Sequence, residues 1–287
     1  MKMKRSEKLG MFTGLVVGVL LLLISVFMIF QTTCKVWGAE KLANATQQGI
    51  DVSSHQGKID WEQVKNSALA DYAIIRCGYG VNQTDKDDKY WDYNSSECER
   101  LGIPYGTYLY SGADTTAKAK SEAEHVVRLL QGKNLTYPIY YDMEADMLNQ
   151  LSSTQIGNIA KTFLNTMESY GYKNVAVYSN KYLFETKLTA SVFSDYPKWI
   201  AQHSNKCTYQ GSYHMWQYST QGVIPGISEK VDLNYKIGNW TYAGYSPAKK
   251  PVVAKPKATT IKSLKKSGKK AVKITYKKVS EIGRAHV

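Results

Sequence analysis

Short apolar strands alternating with helix-like stretches predict an α/β fold: an irregular, incomplete (β/α) barrel (TIM-like) of about eight strands. Three observations lead there. Eight segments rich in Val, Ile and Tyr, bounded by Gly, Pro, Asn or Ser, read as strands. Helix start signals or helical periodicity separate several of them. Their spacing is too tight for a full helix after every strand, so some later helices must be shortened or missing.

In chain order the strand candidates are residues 50–53, 72–77, 106–110, 139–142, 175–178, 198–202, 214–218 and 231–234. Residues 61–68 follow Asp60, a good N-cap, and read as a helix. Residues 115–130 are rich in Ala, Lys and Glu and end before Gly132. Residues 153–170 place Ile156, Ile159, Ala160, Phe163, Leu164 and Met167 at helical spacing, and Gly171 supplies the stop. Strands alternating with helices argue for parallel βα units.

The 287-residue chain has room for one large domain and smaller additions, and the barrel is assigned to residues 45–242. The net charge of +13 is unevenly placed: residues 1–40 carry +3, residues 41–248 carry −2 and residues 249–287 carry +12. A basic tail suits an anionic cell wall or membrane surface as well as nucleic acid, and nothing else here argues for nucleic acid.

Lys2, Lys4, Arg5 and Lys8 precede an uncharged apolar run over residues 11–30. Residues 1–40 therefore read as a signal peptide or membrane anchor, with the remainder exported to an extracellular or wall-associated place. The small residues of Val36-Trp37-Gly38-Ala39 leave cleavage and retention both open. Cys34, Cys77, Cys98 and Cys207 show no CxxC spacing; Cys77 and Cys98 are candidates for pairing, which sequence does not establish.

Beyond the barrel, residues 243–260 are rich in Pro and Lys and read as an extended linker. Val272, Ile274 and Tyr276 alternate with Lys273, Thr275 and Lys277, a half-buried strand. Residues 261–280 resemble the opening of a fibronectin type III-like module, expected to be truncated. Residues 281–287 resemble translated adapter sequence, and the natural chain is expected to stop near Ser280.

The chemistry starts at Pro138-Ile139-Tyr140-Tyr141-Asp142-Met143-Glu144. A hydrophobic strand ends in carboxylates at i and i+2, which point the same way about 6–7 Å apart at Cα. Two like charges that close raise the pKa of one, and an acid beside a base is what glycoside hydrolysis needs. The bland alternative is a solvated strand end or an N-cap for the next helix. Asp51, in the first strand, and Asp232, in the last, sit among apolar neighbours where an unpaired carboxylate is costly. First and last strands are neighbours in a closed barrel, so all four acids can meet at one mouth.

These segments resemble glycoside hydrolase family 25 lysozymes, the N-acetylmuramidase group. The matching stretches are Gly49-Ile50-Asp51-Val52-Ser53-Ser54-His55-Gln56-Gly57, Asp60-Trp61, Ile75-Arg76 with Gly78, Gly102-Ile103-Pro104-Tyr105-Gly106-Thr107-Tyr108, Asp142-Met143-Glu144, Trp199-Ile200-Ala201, Trp216-Gln217-Tyr218 and Val231-Asp232-Leu233-Asn234. They occur in family order over about residues 48–240. The resemblance implies peptidoglycan as partner and hydrolysis of the β-1,4 bond between N-acetylmuramic acid and N-acetylglucosamine. It makes Glu144 the general acid, Asp142 its paired carboxylate, and Asp51 and Asp232 supporting acids. Direct attack by Asp142 and attack by the substrate's acetamido group both stay open. No cofactor is implied.

Candidate sugar platforms are Tyr79, Tyr108, Tyr110, Tyr178, Trp199, Trp216 and Tyr218, with Tyr108 and Trp216 first; barrel packing explains each as readily. Of 22 Tyr against six Trp and six Phe, strand composition accounts for most. His55, His203 and His214 raise a metal-dependent deacetylase, but no H-x-x-x-H occurs and no metal is expected. Neither a nucleophile elbow nor a phosphate-cradling glycine loop is present. The competing class is a wall-binding module that has kept the groove; the presence of all four acids weighs against it. A monomer is expected.

Overall fold

The computed structural model describes residues 44–240 and two further strands at Ile261–Lys266 and Val272–Tyr276. The segment 1–40 with its apolar run, the linker 243–260 and the end 281–287 lie outside the described residues. Among those described, no helix is long and apolar enough to cross a membrane.

Eight strands close a barrel in sequence order: β1 (Ala45–Val52), β2 (Tyr72–Tyr79), β3 (Tyr105–Tyr110), β4 (Ile139–Asp142), β5 (Val175–Asn180), β6 (Lys198–Ala201), β7 (Met215–Gly222) and β8 (Val231–Ile237). Around them run α1 (Trp61–Ser67), α2 (Trp91–Leu101), α3 (Thr116–Leu129), α4 (Ser153–Ser169), α5 (Lys181–Thr186) and the single turn α6 (Val192–Asp195). Local chemistry sets the helix starts. Asp60 accepts from the Gln63 amide at 3.1 Å, Thr115 from Lys118 at 3.3 Å, and Ser152 forms a reciprocal capping box with Gln155. Gly171, at φ 90°, follows α4 and donates to the Glu168 carbonyl at 2.9 Å.

α2 is absent from the sequence expectation. Its inward face is Trp91, Asn94, Ser95 and Cys98, a helical spacing carried half by polar residues that a search for apolar periodicity passes over. Asn94 earns burial by accepting from Trp61 Nε1 at 3.0 Å.

The expectation of parallel units holds from β1 through β7 and fails at β8. β8 runs antiparallel to both β7 and β1. The cause is loop length: residues 223–230 are fewer than the dozen or so that a parallel crossover needs. Pro225-Gly226 turns the chain there. At Gly226, φ is 93° and an added Cβ would lie 2.3 Å from the Asp60 carbonyl oxygen, so only glycine fits.

The core has two shells. Outside the barrel, Ile139, Tyr141, Val175 and Val177 on the strands and Ile159, Phe163 and Leu164 of α4 are all buried, and the Tyr141 and Phe163 rings stack at 3.8 Å. Inside, Tyr72, Ile74, Tyr140, Ala176, Tyr178, Trp199, Ala201 and Met215 fill the lumen. Cys77 and Cys98 are buried free thiols rather than a disulfide. Burial pushes the Cys77 thiol up to about 12. Residues 248–287 form a separate unit, in which β9 (Ile261–Lys266) and β10 (Val272–Tyr276) pair antiparallel.

Candidate active site

Strand direction decides which side chains reach the mouth. Asp51 is the penultimate residue of β1, Asp142 ends β4 and Glu144 lies two residues beyond. Asp232 is the second residue of β8, and because β8 is reversed its beginning lies at the same end as the finish of β1. Asp51 and Asp232 are register partners across that antiparallel pair. The structure therefore brings the four acids to one mouth.

An amide network holds two of them. Gln217 Nε2 donates to Asp51 Oδ2 at 3.0 Å and to Asp232 Oδ2 at 3.2 Å. Asn234 Nδ2 donates to the same Asp51 oxygen at 2.7 Å, while its Oδ1 accepts from Trp199 Nε1 at 2.8 Å. Gln217 Oε1 accepts from the Tyr178 hydroxyl and from His203 Nε2, both at 2.9 Å. Across the mouth, Arg76 donates to Asp88 at 2.8 Å and to Ser54 Oγ at 2.9 Å. Asp142 differs: it is 3% exposed and its buried Oδ1 has no protein partner.

Burial pushes all four carboxyls above their ordinary values. Neighbouring charges then separate them. Asp142 is raised further by Glu144 and Asp51 and eased by Arg76. Glu144 is raised further by Asp232 and eased by His203. Asp51 is raised by Asp232 and eased by the Asn234 and Gln217 donors. The mouth can therefore hold protons on some carboxyls and charge on others at the same pH.

The aromatic candidates divide. Tyr108 and Tyr110, half-buried, face the lumen beside the acids, and Tyr79 is exposed at the mouth end of β2 with Lys86 Nζ 4.9 Å from its ring centre. Tyr178 is buried with its hydroxyl committed to Gln217, and Trp199 lies beneath it with ring centres 4.4 Å apart, forming the floor. Trp216 and Tyr218 do not line the pocket. They alternate with Gln217 on β7 and so occupy its outer face. There Tyr218 stacks on Tyr235 at 4.4 Å and Trp216 donates to the Gln202 carbonyl at 2.9 Å.

His203 reaches the site, but His214 packs on Trp240 at the start of β7, at the opposite end of the barrel. Among the described residues no group of three or more His, Cys, Asp or Glu is arranged to hold a metal ion. Sequence reasoning assigned no role to Gln217, Asn234 or Arg76. The available signal was a polar side chain at an inward position of a strand otherwise filled with apolar groups.

Comparison with known proteins adds a second line. The model of glycosyl hydrolases family 25 matches residues 50–227. The autolytic lysozyme of Clostridium acetobutylicum is 30% identical over 188 residues, which cover 65% of this chain and 55% of that protein. The modular autolysin LytC of Streptococcus pneumoniae superposes with a TM-score of 0.61 at 33% identity, covering 66% of this chain and 46% of that one. LytC is also known in complex with a synthetic peptidoglycan ligand. A family 25 glycosyl hydrolase of Bacillus anthracis shares the fold, with a TM-score of 0.61 at 21% identity over 70% of this chain and 94% of its own. The match thus spans about half the length of the first two relatives.

Proposed function

The chain belongs to glycosyl hydrolases family 25, and from that premise we propose that it hydrolyses peptidoglycan at the β-1,4 bond between N-acetylmuramic acid and N-acetylglucosamine. The observation that carries this reading is the placing of Glu144. It sits half-buried at the mouth, where desolvation and the charge of Asp232 both hinder its ionisation. A carboxyl that keeps its proton near neutral pH can give it to the leaving glycosidic oxygen, a step worth about 10²–10⁴ in rate.

Asp142 lies deeper, with an oxygen that wants a donor. In this reading the N–H of the substrate's acetamido group supplies it. That bond favours the ionised form of Asp142, and the new negative charge strengthens proton retention on Glu144. The acetamido oxygen then bonds to the anomeric carbon as the C1–O bond breaks and Glu144 protonates the departing oxygen. Water then bonds to the anomeric carbon as its bond to the acetamido oxygen breaks, and the ionised Glu144 takes a proton from that water, which restores its acid form. The depth of Asp142 favours this route over its direct attack on the sugar. Tyr79, Tyr108 and Tyr110 offer ring faces to the glycan. The apolar run at 11–30 and the lysine-rich residues 249–287 would hold a monomeric enzyme outside the cytoplasm, against an anionic wall.

The test is digestion of purified peptidoglycan by the full chain and by Glu144→Gln, with mass spectrometry of the products. New reducing ends on N-acetylmuramic acid, lost in the variant, are expected. Reducing ends on N-acetylglucosamine would move the bond. No release from several wall types by folded protein would replace catalysis with wall binding.

A further inference from the structure

Gln217 is buried at the centre of the polar network and takes no part in the bond-breaking steps above. A glutamine side chain offers two N–H donors and an oxygen with two lone pairs, and here all four are used. Oε1 receives Tyr178 and His203; Nε2 faces one oxygen of Asp51 and one of Asp232. The carboxylates fix which end is nitrogen, since a shared carboxylate charge calls for donors. We propose that Gln217 is a positioning residue whose amide bridges Asp51 and Asp232 into one pair with a single negative charge, and so sets the field in which Glu144 holds its proton. This rests on the catalytic reading of Glu144 above.

The charged and titratable groups around this amide come from every neighbouring strand: Asp51 of β1, Arg76 of β2, Tyr108 of β3, Asp142 and Glu144 at the end of β4, Tyr178 of β5, His203 after β6 and Asp232 of β8. Arg76 is tied to Asp88, so it does not neutralise the Asp51–Asp232 pair by itself. Donors on a carboxylate favour its ionised form. Without Gln217 the pair keeps both protons to higher pH. Glu144 then loses the negative neighbour that hinders its ionisation, and it deprotonates at lower pH. One substitution should therefore move two titrations in opposite directions.

The experiment compares the full-length wild type with Gln217→Met, which keeps side-chain length and removes both donors. Solubilised peptidoglycan is the substrate, and kcat and KM are followed across pH. The expected result is a bell narrowed from both sides, each limb moving inward by about half a pH unit or more, with kcat down about ten-fold and KM within about two-fold. A profile of unchanged shape and reduced height would overturn the proposal, because loss of folded enzyme scales the curve without moving its limbs. Carboxyl ¹³C NMR titration gives a readout that needs no turnover. Asp232 should ionise at higher pH and Glu144 at lower pH in the variant, and unmoved titrations would overturn the proposal even if the wild type proves inactive on every wall tested. If Gln217→Met melts below assay temperature, Tyr178→Phe leaves the amide in place and removes one anchor of its oxygen. A smaller narrowing of the same sign supports the proposal, and unmoved limbs defeat it.

Discussion

Glu122 of α3 is fully buried and holds the loop that follows β3. Its Oε2 accepts from Tyr141 Oη at 2.6 Å and Ser111 Oγ at 2.9 Å, and its Oε1 accepts from the Gly112 amide at 2.8 Å. Glu122→Ala removes the acceptor for a buried phenol and a backbone N–H at once. At about 1–3 kcal/mol for each stranded donor, with a cavity added and one buried charge relieved, the loss of stability should be about 3–5 kcal/mol. Glu122→Gln keeps the volume and the Gly112 bond, and the two hydroxyls can rotate to meet the new NH2, so it should cost about 1 kcal/mol. The assay is urea unfolding followed by tryptophan fluorescence. The same loop touches the site, because Ser111 N donates to the Asp142 carbonyl at 2.9 Å, so Glu122→Ala should also lower kcat in protein that remains folded. An alanine variant within about 1 kcal/mol of wild type, or a glutamine variant as damaged as alanine, would refute the reasoning.

Other outcomes follow from the same geometry. Glu122 and the four mouth acids all have folded-state values raised by burial, so the folded form binds their protons more tightly than the unfolded chain. Their stabilisation is complete below the unfolded carboxylate value and is lost as pH rises through the folded ones. Asp60, Asp87, Glu97 and Asp114 are lowered, and their contribution fades only as pH falls through about 4 and below. The melting temperature should therefore rise from pH 7 to pH 5, and Asp142→Asn should flatten that slope; a falling melting temperature would contradict it. Tyr108→Ala should raise KM several-fold, whereas Tyr218→Phe, on the outer face of β7, should leave KM within about two-fold in steady-state assays. Iodoacetamide at pH 8 should alkylate half-exposed Cys207 in the native protein and reach Cys77 and Cys98 only after denaturation, as read by peptide mapping.

Much of the fold is legible where one physical signal dominates. β4 is a run of apolar residues after Pro138, and its observed bounds match the segment expected from sequence. α4 combines a capping box, an apolar stripe and a glycine stop, three signals that agree. α2 was missed because Asn94 and Ser95 serve as core residues, the Asn94 oxygen accepting from Trp61 Nε1 and the Ser95 hydroxyl donating to the Trp91 carbonyl. Within the site, carboxylates among apolar neighbours were readable because burying them demands an explanation. The side on which an aromatic residue falls was not. Trp216 and Tyr218 differ from Gln217 only by one step of a two-residue alternation, and the anchor for that register is the Gln217 amide bonded to acids on β1 and β8.

The reversal of β8 explains why the last strand carries both an acid and an amide. In an all-parallel barrel the second residue of a strand lies at the closed end, and Asp232 would be a buried charge far from the other three. Reversed, β8 presents Asp232 toward the mouth and Asn234 one layer deeper on the same inward face. Asn234 then ties Asp51 above it to Trp199 in the floor, at 2.7 Å and 2.8 Å. β7, also beside β8, contributes Gln217 at the register position opposite Asn234. Two amides thus face each other across the antiparallel β7–β8 pair, which a short turn joins, and both donate to Asp51. A helical crossover between β7 and β8 would separate them in sequence but would also return β8 to the parallel direction and carry Asp232 away from Glu144. The missing helix is therefore a condition for the four-acid mouth, and lengthening the 223–230 turn while preserving strand direction should leave the acid geometry intact.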